Sequence, residues 1–480
     1  MSSKTLCHKL GDLTDWFSGG TPSKKKAEYW GEDIPWISAS SMDGCRYSDS
    51  DLKITYEGLK AGSRLAPKGS ILLLVRGSTL HKRIPVGIAE RDVAFNQDVK
   101  AIRVKPGLIA DQVTDEAYLY YWLTANEQRL LEMVEHTGIG AGKLDTKRLQ
   151  NLEIDLPPWP EQRQIVATAT ALDEKEILNS RINQTLEQMA QAIFKSWFVD
   201  FEPVKAKIAA LEAGGSEEDA LLAAMQAISG KGEAELTRLQ TEQPEQYAEI
   251  RATAELFPSA MQDSELGEIP EGWEVLPLGK MINLIGGGTP KKSEPSFWNG
   301  DIRWFSVKDV PSDGNVFVVD TEDKITEEGL NRSSTKLLPI GTTIITARGT
   351  VGKLALTGVS TAMNQSCYGV TANDETGPYL NYLRLSEAVA TLKRNTHGAV
   401  FDTITRSTFD TVIQPRSCLA LRQRFEQAVT PMFEAIRNNL VQSNTLSEAR
   451  DSLLPKLLSG ELSLDAQPAE KEVVNVSVDG

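Results

Sequence analysis

A chain of 480 residues is too long for one ordinary domain, and two to four are expected. Its composition, 40% hydrophobic and 24% charged, is that of a folded globular protein, and no apolar run reaches the roughly 18 residues of a membrane span. The net charge of −15 argues at first sight against a polyanionic partner, but residues 1–158 carry 21 basic and 21 acidic side chains and residues 273–418 carry 15 of each, so the acid lies elsewhere.

Residues 1–158 form a first module of short strands. IPWIS, LAPKGSILLLVRG, PVGIAE and VKAIRV are bounded by Gly, Pro and Asp. A helical segment over residues 116–136 follows. Pro160 opens a long helical pattern to Phe198, within a segment taken as 159–202, with Leu178, Ile182, Leu186, Met189, Ile193 and Trp197 spaced by three and four. Residues 203–272, rich in Ala, Glu and Gln, read as surface helical hairpins in an acidic linker. Residues 273–418 then repeat the first module. LGDLTDWFSGGTPSKKKAEYWGEDIPWISASSM (10–42) aligns without a gap with LGKMINLIGGGTPKKSEPSFWNGDIRWFSVKDV (278–310) at an offset of 268. The offset becomes 272 at Arg76-Gly77 against Arg348-Gly349 and returns to 268 at Asn96-Gln97 against Asn364-Gln365. A second long helix is expected near residues 420–458, within 419–462, with Phe425, Val429, Met432, Ile436 and Leu440, then Leu446, Leu453 and Leu457, on one stripe. Pro431 should kink it or split off its first turns. Two such stripes hide each other if the helices pack side by side. Residues 463–480 have little to bury and read as a disordered tail.

No self-sufficient chemistry stands out. GTVGK (349–353) and GIGAGKL (138–144) lack phosphate-loop spacing and read as hairpin or entry loops. There is no Asn/Asp-Pro-Pro-aromatic tetrapeptide and no Gly-rich loop placed for a nucleoside cofactor. Four dispersed cysteines and four dispersed histidines suit neither disulfides nor a metal, and a cytoplasmic location is expected. What remains is material for gripping nucleic acid. Lys24, Lys25 and Lys26 follow Gly-Gly-Thr-Pro, as Lys291 and Lys292 do in the repeat, where glycines let backbone approach a phosphate. Arg76 and Arg348 end a strand, where each meets either a base or phosphate or a carboxylate of its own module. His81, Lys82 and Arg83 occur only in the first module, and Lys393, Arg394 and His397 only in the second. Lys143 and Lys353 complete the candidate DNA contacts. Asn96-Gln97 and Asn364-Gln365 suit turn caps better than base contacts. Trp30, Trp36, Trp298 and Trp304 read as module core.

The order of these segments resembles the specificity subunit of type I restriction–modification enzymes. The carriers are the two module starts, IDLPPWPEQRQIV (154–166), IFKSWFVDFEPV (193–204), GEIPEGWEVLPLG (267–279) and LLPKLLSGEL. The second module departs from the pattern, leaving through VIQPRSCLALRQRF. The resemblance implies an α+β architecture: two mixed α/β target recognition domains separated by two long helices in an antiparallel coiled coil. It implies no catalysis by this chain, which would bind one half of a split double-stranded DNA target with each module. The coiled coil would act as a ruler and dock two modification subunits; S-adenosylmethionine, ATP and Mg2+ would be bound by those and by restriction subunits, in antiviral defence. A self-sufficient DNA methyltransferase or nuclease and a protein-binding scaffold are the alternatives.

Overall fold

The computed structural model describes residues 6–42, 44–136, 140–312, 314–395 and 403–464. His397 lies outside them. Two compact units divide the chain: Met1–Lys175 with Thr445–Gly480, and Glu176–Asn444.

Each unit contains one module, and the modules share one topology. In the first, a five-stranded sheet runs Thr14–Ser18, Val99–Val104, Ile71–Leu74, Val86–Ala89, Arg46–Tyr47. In the second the order is Ile282–Gly286, Cys367–Ala372, Thr343–Thr346, Leu354–Thr357, Phe317–Val318. Only the last pair is parallel in each. Ile71, Leu72, Leu73 and Leu74 are all buried, since this central strand is covered on both faces. A second sheet holds Trp30–Ile37 or Trp298–Phe305, each with an irregularity at the same place, between Trp30 and Ile34 or between Trp298 and Ile302. The chain enters and leaves each module on paired antiparallel strands: Leu6–Lys9 with Glu153–Leu156, and Glu274–Pro277 with Ile413–Arg416.

The modules differ at one edge. The first adds a three-stranded ribbon of Arg76–Gly77, Gly142–Lys143 and Glu135–His136. Among the described residues the second has there a single bridge between Arg348 and Thr403.

The long helices span Trp159–Phe198 and Leu419–Leu458, 40 residues each, and both pass from one unit to the other. They pair antiparallel within each unit. In the first unit Asp173 meets Arg450 at 2.8 Å. In the second, Asn179 donates to Gln442 and Ser443, Asn183 accepts from Asn439 at 2.9 Å, and Phe198 packs on Phe425, so partners descend as the first helix ascends.

Two expectations need correction. Of the two outcomes expected at Pro431, a kink or a split, the second helix does not show the split: a single missing N–H is tolerated where Val429, Phe433 and Ile436 are wholly buried on both sides of it. The stripe on the first helix is rotated. Leu178, Ile182 and Met189 are 49%, 38% and 47% exposed, whereas Asn179, Asn183, Ala190 and Phe194 are buried. The seam turns polar and small here because the second helix supplies amide and hydroxyl partners, so apolar spacing pointed one residue aside. Leu186 and Ile193 are half-buried and Trp197 is buried. On the second helix Phe425, Val429, Ile436 and Leu457 are buried and Leu440 and Leu453 partly so.

Between the first long helix and the second module, Glu202–Glu212, Glu217–Ser229, Glu233–Glu242 and Pro244–Glu255 are helices. They are more than surface hairpins, for Leu221, Ala224, Met225, Leu236, Leu239 and Ala254 form a core of their own. No described helix is long and apolar enough to cross a membrane.

Candidate nucleic-acid interface

The Gly-Gly-Thr-Pro turn is built alike in both modules. A Cβ on Gly19 would fall 2.1 Å from the Phe95 carbonyl oxygen, and one on Gly287 1.9 Å from that of Asn364. These glycines therefore serve close packing against the module's own backbone, rather than approach to a phosphate. Trp36 Nε1 donates to the Gly20 carbonyl at 3.1 Å and Trp304 Nε1 to Gly288 at 3.0 Å. Trp30 and Trp298 reach the Ser23 and Lys291 carbonyls, both at 3.3 Å. Each indole pair meets edge to face, at 5.3 and 5.1 Å. Thr21 Oγ1 donates to Gln97 Oε1 at 2.8 Å, and Thr289 to Gln365. Asn96 and Asn364 each accept, at 3.0 Å, the N–H two residues on. Tryptophans and amides are thus scaffold, and they fix a turn from which the lysines project.

Lys24, Lys25, Lys26, Lys291 and Lys292 are all exposed. Lys26 lies against Tyr29, with Nζ 3.0 Å from the hydroxyl and 4.9 Å from the ring centroid. That hydrogen bond raises its pKa.

A second basic group gathers in the first module. Arg76 lies opposite Lys143 in the ribbon, and both line a cleft of about 480 Å³ with Gln97, Lys100 and Lys147. Lys100 donates to Ser18 Oγ, and burial lowers its pKa. The cleft's acids serve the module itself: Asp98 accepts from Asn96 at 3.2 Å, and Asp145 caps Thr146–Gln150 through the Arg148 N–H at 2.9 Å. Lys100 and Lys147 were not among the sequence candidates. The alternation of VKAIRV points Lys100 outward and was a usable signal; Lys147 had none. His81 Nε2 lies 3.0 Å from the Gly140 carbonyl, Arg83 donates to the Met42 carbonyl at 3.1 Å, and Lys82 is exposed.

Among the described residues the second module does not assemble the corresponding group. Arg348 is exposed at the strand end. Lys353 and Lys393 instead line one cleft of about 470 Å³ with Gln184, Gln188 and Gln191 of the first long helix. Lys353 belongs to the hairpin joining Thr343–Thr346 to Leu354–Thr357, as expected for GTVGK. Arg394 pairs with Glu387 at 2.7 Å. Among the described residues no group of three or more His, Cys, Asp or Glu is placed to hold a metal.

Comparison with known proteins fits this duplicated arrangement. The model of the family described as "Type I restriction modification DNA specificity domain" matches residues 7–188 and 270–413. The type I restriction enzyme HindI specificity subunit of Haemophilus influenzae is 35% identical over 358 residues, 72% of this chain and 77% of its own. The MjaIX specificity subunit of Methanocaldococcus jannaschii is 28% identical over 474 residues, 95% of this chain and 93% of its own. A crystal structure of a type I restriction–modification S subunit from M. genitalium, 14% identical, aligns over 97% of this chain and 98% of its own with a TM-score of 0.48.

Proposed function

Since the chain belongs to the type I restriction–modification DNA specificity family, we propose that each module reads one half of a split double-stranded DNA target and that the paired long helices set the unread gap. The chain is a non-catalytic DNA-recognition subunit. One observation carries the bipartite reading: two modules of one topology each hold a lysine-tipped turn on the same tryptophan and amide brace. Phosphates are taken by Lys24, Lys25, Lys26, Lys291 and Lys292. Bases are read where the modules differ, by Arg76 and Lys143 of the ribbon with His81, Lys82 and Arg83 of the segment that follows Arg76–Gly77 in the first, and by Arg348, Lys353, Lys393, Arg394 and His397 in the second. Boundaries at 158/159 and 272/273 with 418/419 delimit the reading modules.

The bond-making is assigned to other chains: two modification subunits that bind S-adenosylmethionine and methylate adenine, joined for cleavage by ATP- and Mg2+-dependent restriction subunits. Leu178, Ile182 and Met189, apolar yet exposed on the first long helix, support docking there. The test is co-expression with a modification subunit and mapping of methyladenine across the host genome. A two-part target with a fixed gap is expected. Four helical residues added to each long helix, about 6 Å, should lengthen the gap by about one or two base pairs at 3.4 Å each and leave both half-sites unchanged. A single uninterrupted target, or altered half-sites with an unchanged gap, would overturn the proposal.

A further inference from the structure

In the second unit a cavity of about 240 Å³ opens between the end of the first long helix, the helix Pro378–Asn395 and the hairpin of Met261–Ser264 and Gly267–Pro270. Phe194, Phe198, Phe201, Ile269 and Leu380 make it apolar. One charged side chain, Arg384, lines it while only 5% exposed. A buried guanidinium is strongly disfavoured unless a carboxylate or other acceptor meets it. Arg384 Nη1 is buried and has no hydrogen-bond partner.

The nearby acid does not resolve this. Asp374 acts on Arg384, but its Oδ2 accepts from Arg416 at 2.9 Å and from Arg422 as well. Three guanidiniums therefore converge on Asp374, with Glu274 3.6 Å from Arg416 alone, and Nε of both Arg416 and Arg422 is also buried without a partner. Burial and the two neighbouring arginines lower the pKa of Arg384 to about 10, which leaves it cationic at neutral pH. Gln414, also on the lining, donates through Nε2 to the Arg384 carbonyl at 3.1 Å, which holds the Arg384 backbone in place. The other charged groups on the lining, Glu387 and Glu268, oppose a highly charged anion; Glu387 is engaged by Arg394 and Glu268 is exposed.

We propose that this cavity is a binding site for a small monocarboxylate with an aromatic or branched aliphatic body. The carboxylate meets Arg384, and the body packs among Phe194, Phe198 and Phe201. A charge-assisted pair in so apolar a surrounding is strong and directional. The volume, below the roughly 300–1,000 Å³ of drug-sized pockets, limits the ligand to a small molecule. Part of the wall, Leu266 to Ile269, falls outside the residues that the family's model matches.

The test titrates the full chain with phenylacetate and with hexanoate, using phenylacetamide and inorganic phosphate as comparators, by calorimetry and thermal melting. Saturable one-to-one binding and a raised melting temperature are expected for the acids, with at least tenfold weaker binding of both comparators. Arg384→Met should weaken acid binding at least tenfold. Leu266→Trp, at the 42% exposed rim, should block entry with Arg384 intact, and it decides the matter if Arg384→Met does not fold. No saturable binding of either acid to the unaltered chain, equal binding of phenylacetamide or of phosphate, or acid binding undiminished in the variants, would overturn the proposal.

Discussion

The two modules are fastened to the long helices by one shared contact and several different ones: in each a module carboxylate meets a long-helix arginine, Asp115 with Arg163 and Asp374 with Arg422. In the first, Asp115 belongs to the module: it caps Glu116–Ala125 through the Tyr118 N–H at 2.9 Å and meets Arg163 of the long helix at 2.5 Å. In the second a further carboxylate is on the long helix. Glu426 accepts the Tyr379 and Leu380 N–H groups at 3.0 and 2.9 Å, capping Pro378–Asn395 from outside. The first attachment adds Asp173 of the long helix, buried and held by Tyr121 of the module at 2.8 Å and by Arg450 at 2.8 Å. The second adds Tyr379 stacked on Phe433, 4.4 Å apart and 3° from parallel. The strands, the turns and the carboxylate–arginine attachment are thus duplicated, while the remaining attachments differ between the modules. A module depends on the helix segment beside it as much as on its own core.

The largest effect tests the ionic attachment. Arg450→Ala strands Asp173, which is 1% exposed, and should destabilise the first unit by about 3–5 kcal/mol in urea unfolding. A loss under 1 kcal/mol would mean that this attachment carries no weight. Glu426→Ala leaves two helix N–H groups unmet and should cost about 2–3 kcal/mol; Asp115→Ala removes one cap and should cost about 1 kcal/mol. Equal losses would erase the asymmetry between modules.

Acid titration sharpens it further. Burial raises the carboxyl of Asp374, but the Thr376 hydrogen bonds and the Arg422 and Arg384 charges outweigh it and hold the pKa at about 2. Its stabilising contribution is present above the ordinary value of 3.8 and is lost as pH falls through about 2. Asp374→Asn should remove about 2 kcal/mol at neutral pH and flatten the acid limb in that window. Glu426 has the opposite sign. Burial raises its pKa against the Tyr379 and Leu380 N–H groups, so its contribution is full below its ordinary pKa and declines as pH rises through the raised value. Glu426→Gln should flatten that decline, as followed by melting temperature against pH.

The smallest effects concern the lysine turns. Replacing Lys24, Lys25 and Lys26 by Gln should make the salt slope of DNA binding shallower by about 2.7, and replacing Lys291 and Lys292 by about 1.8, at 0.9 per phosphate contact. Unchanged slopes would remove these turns from the interface.

Much of this was legible before any coordinates. The gapless repeat announced two modules of one topology, because strand cores tolerate no insertion while loops do. Strict helical spacing marked both long helices. What spacing could not reveal was the buried face of the first, where Asn179 and Asn183 occupy the seam and Leu178 and Ile182 do not. A polar residue in a seam becomes recognisable only once its partner, here Asn439 or Gln442, stands opposite. Lys147 joined the basic cleft, and Arg384 the apolar cavity, through folding alone.

The paired entry and exit strands have a bearing on inheritance. Because Leu6–Lys9 lies beside Glu153–Leu156, and Glu274–Pro277 beside Ile413–Arg416, either reading module can be lifted out between two adjacent cuts and another spliced in. Recombination between related genes can then exchange one half of the recognised word in a single event. The useful crossover falls a few turns into the following helix, so that Arg163 or Glu426 travels with the module it fastens.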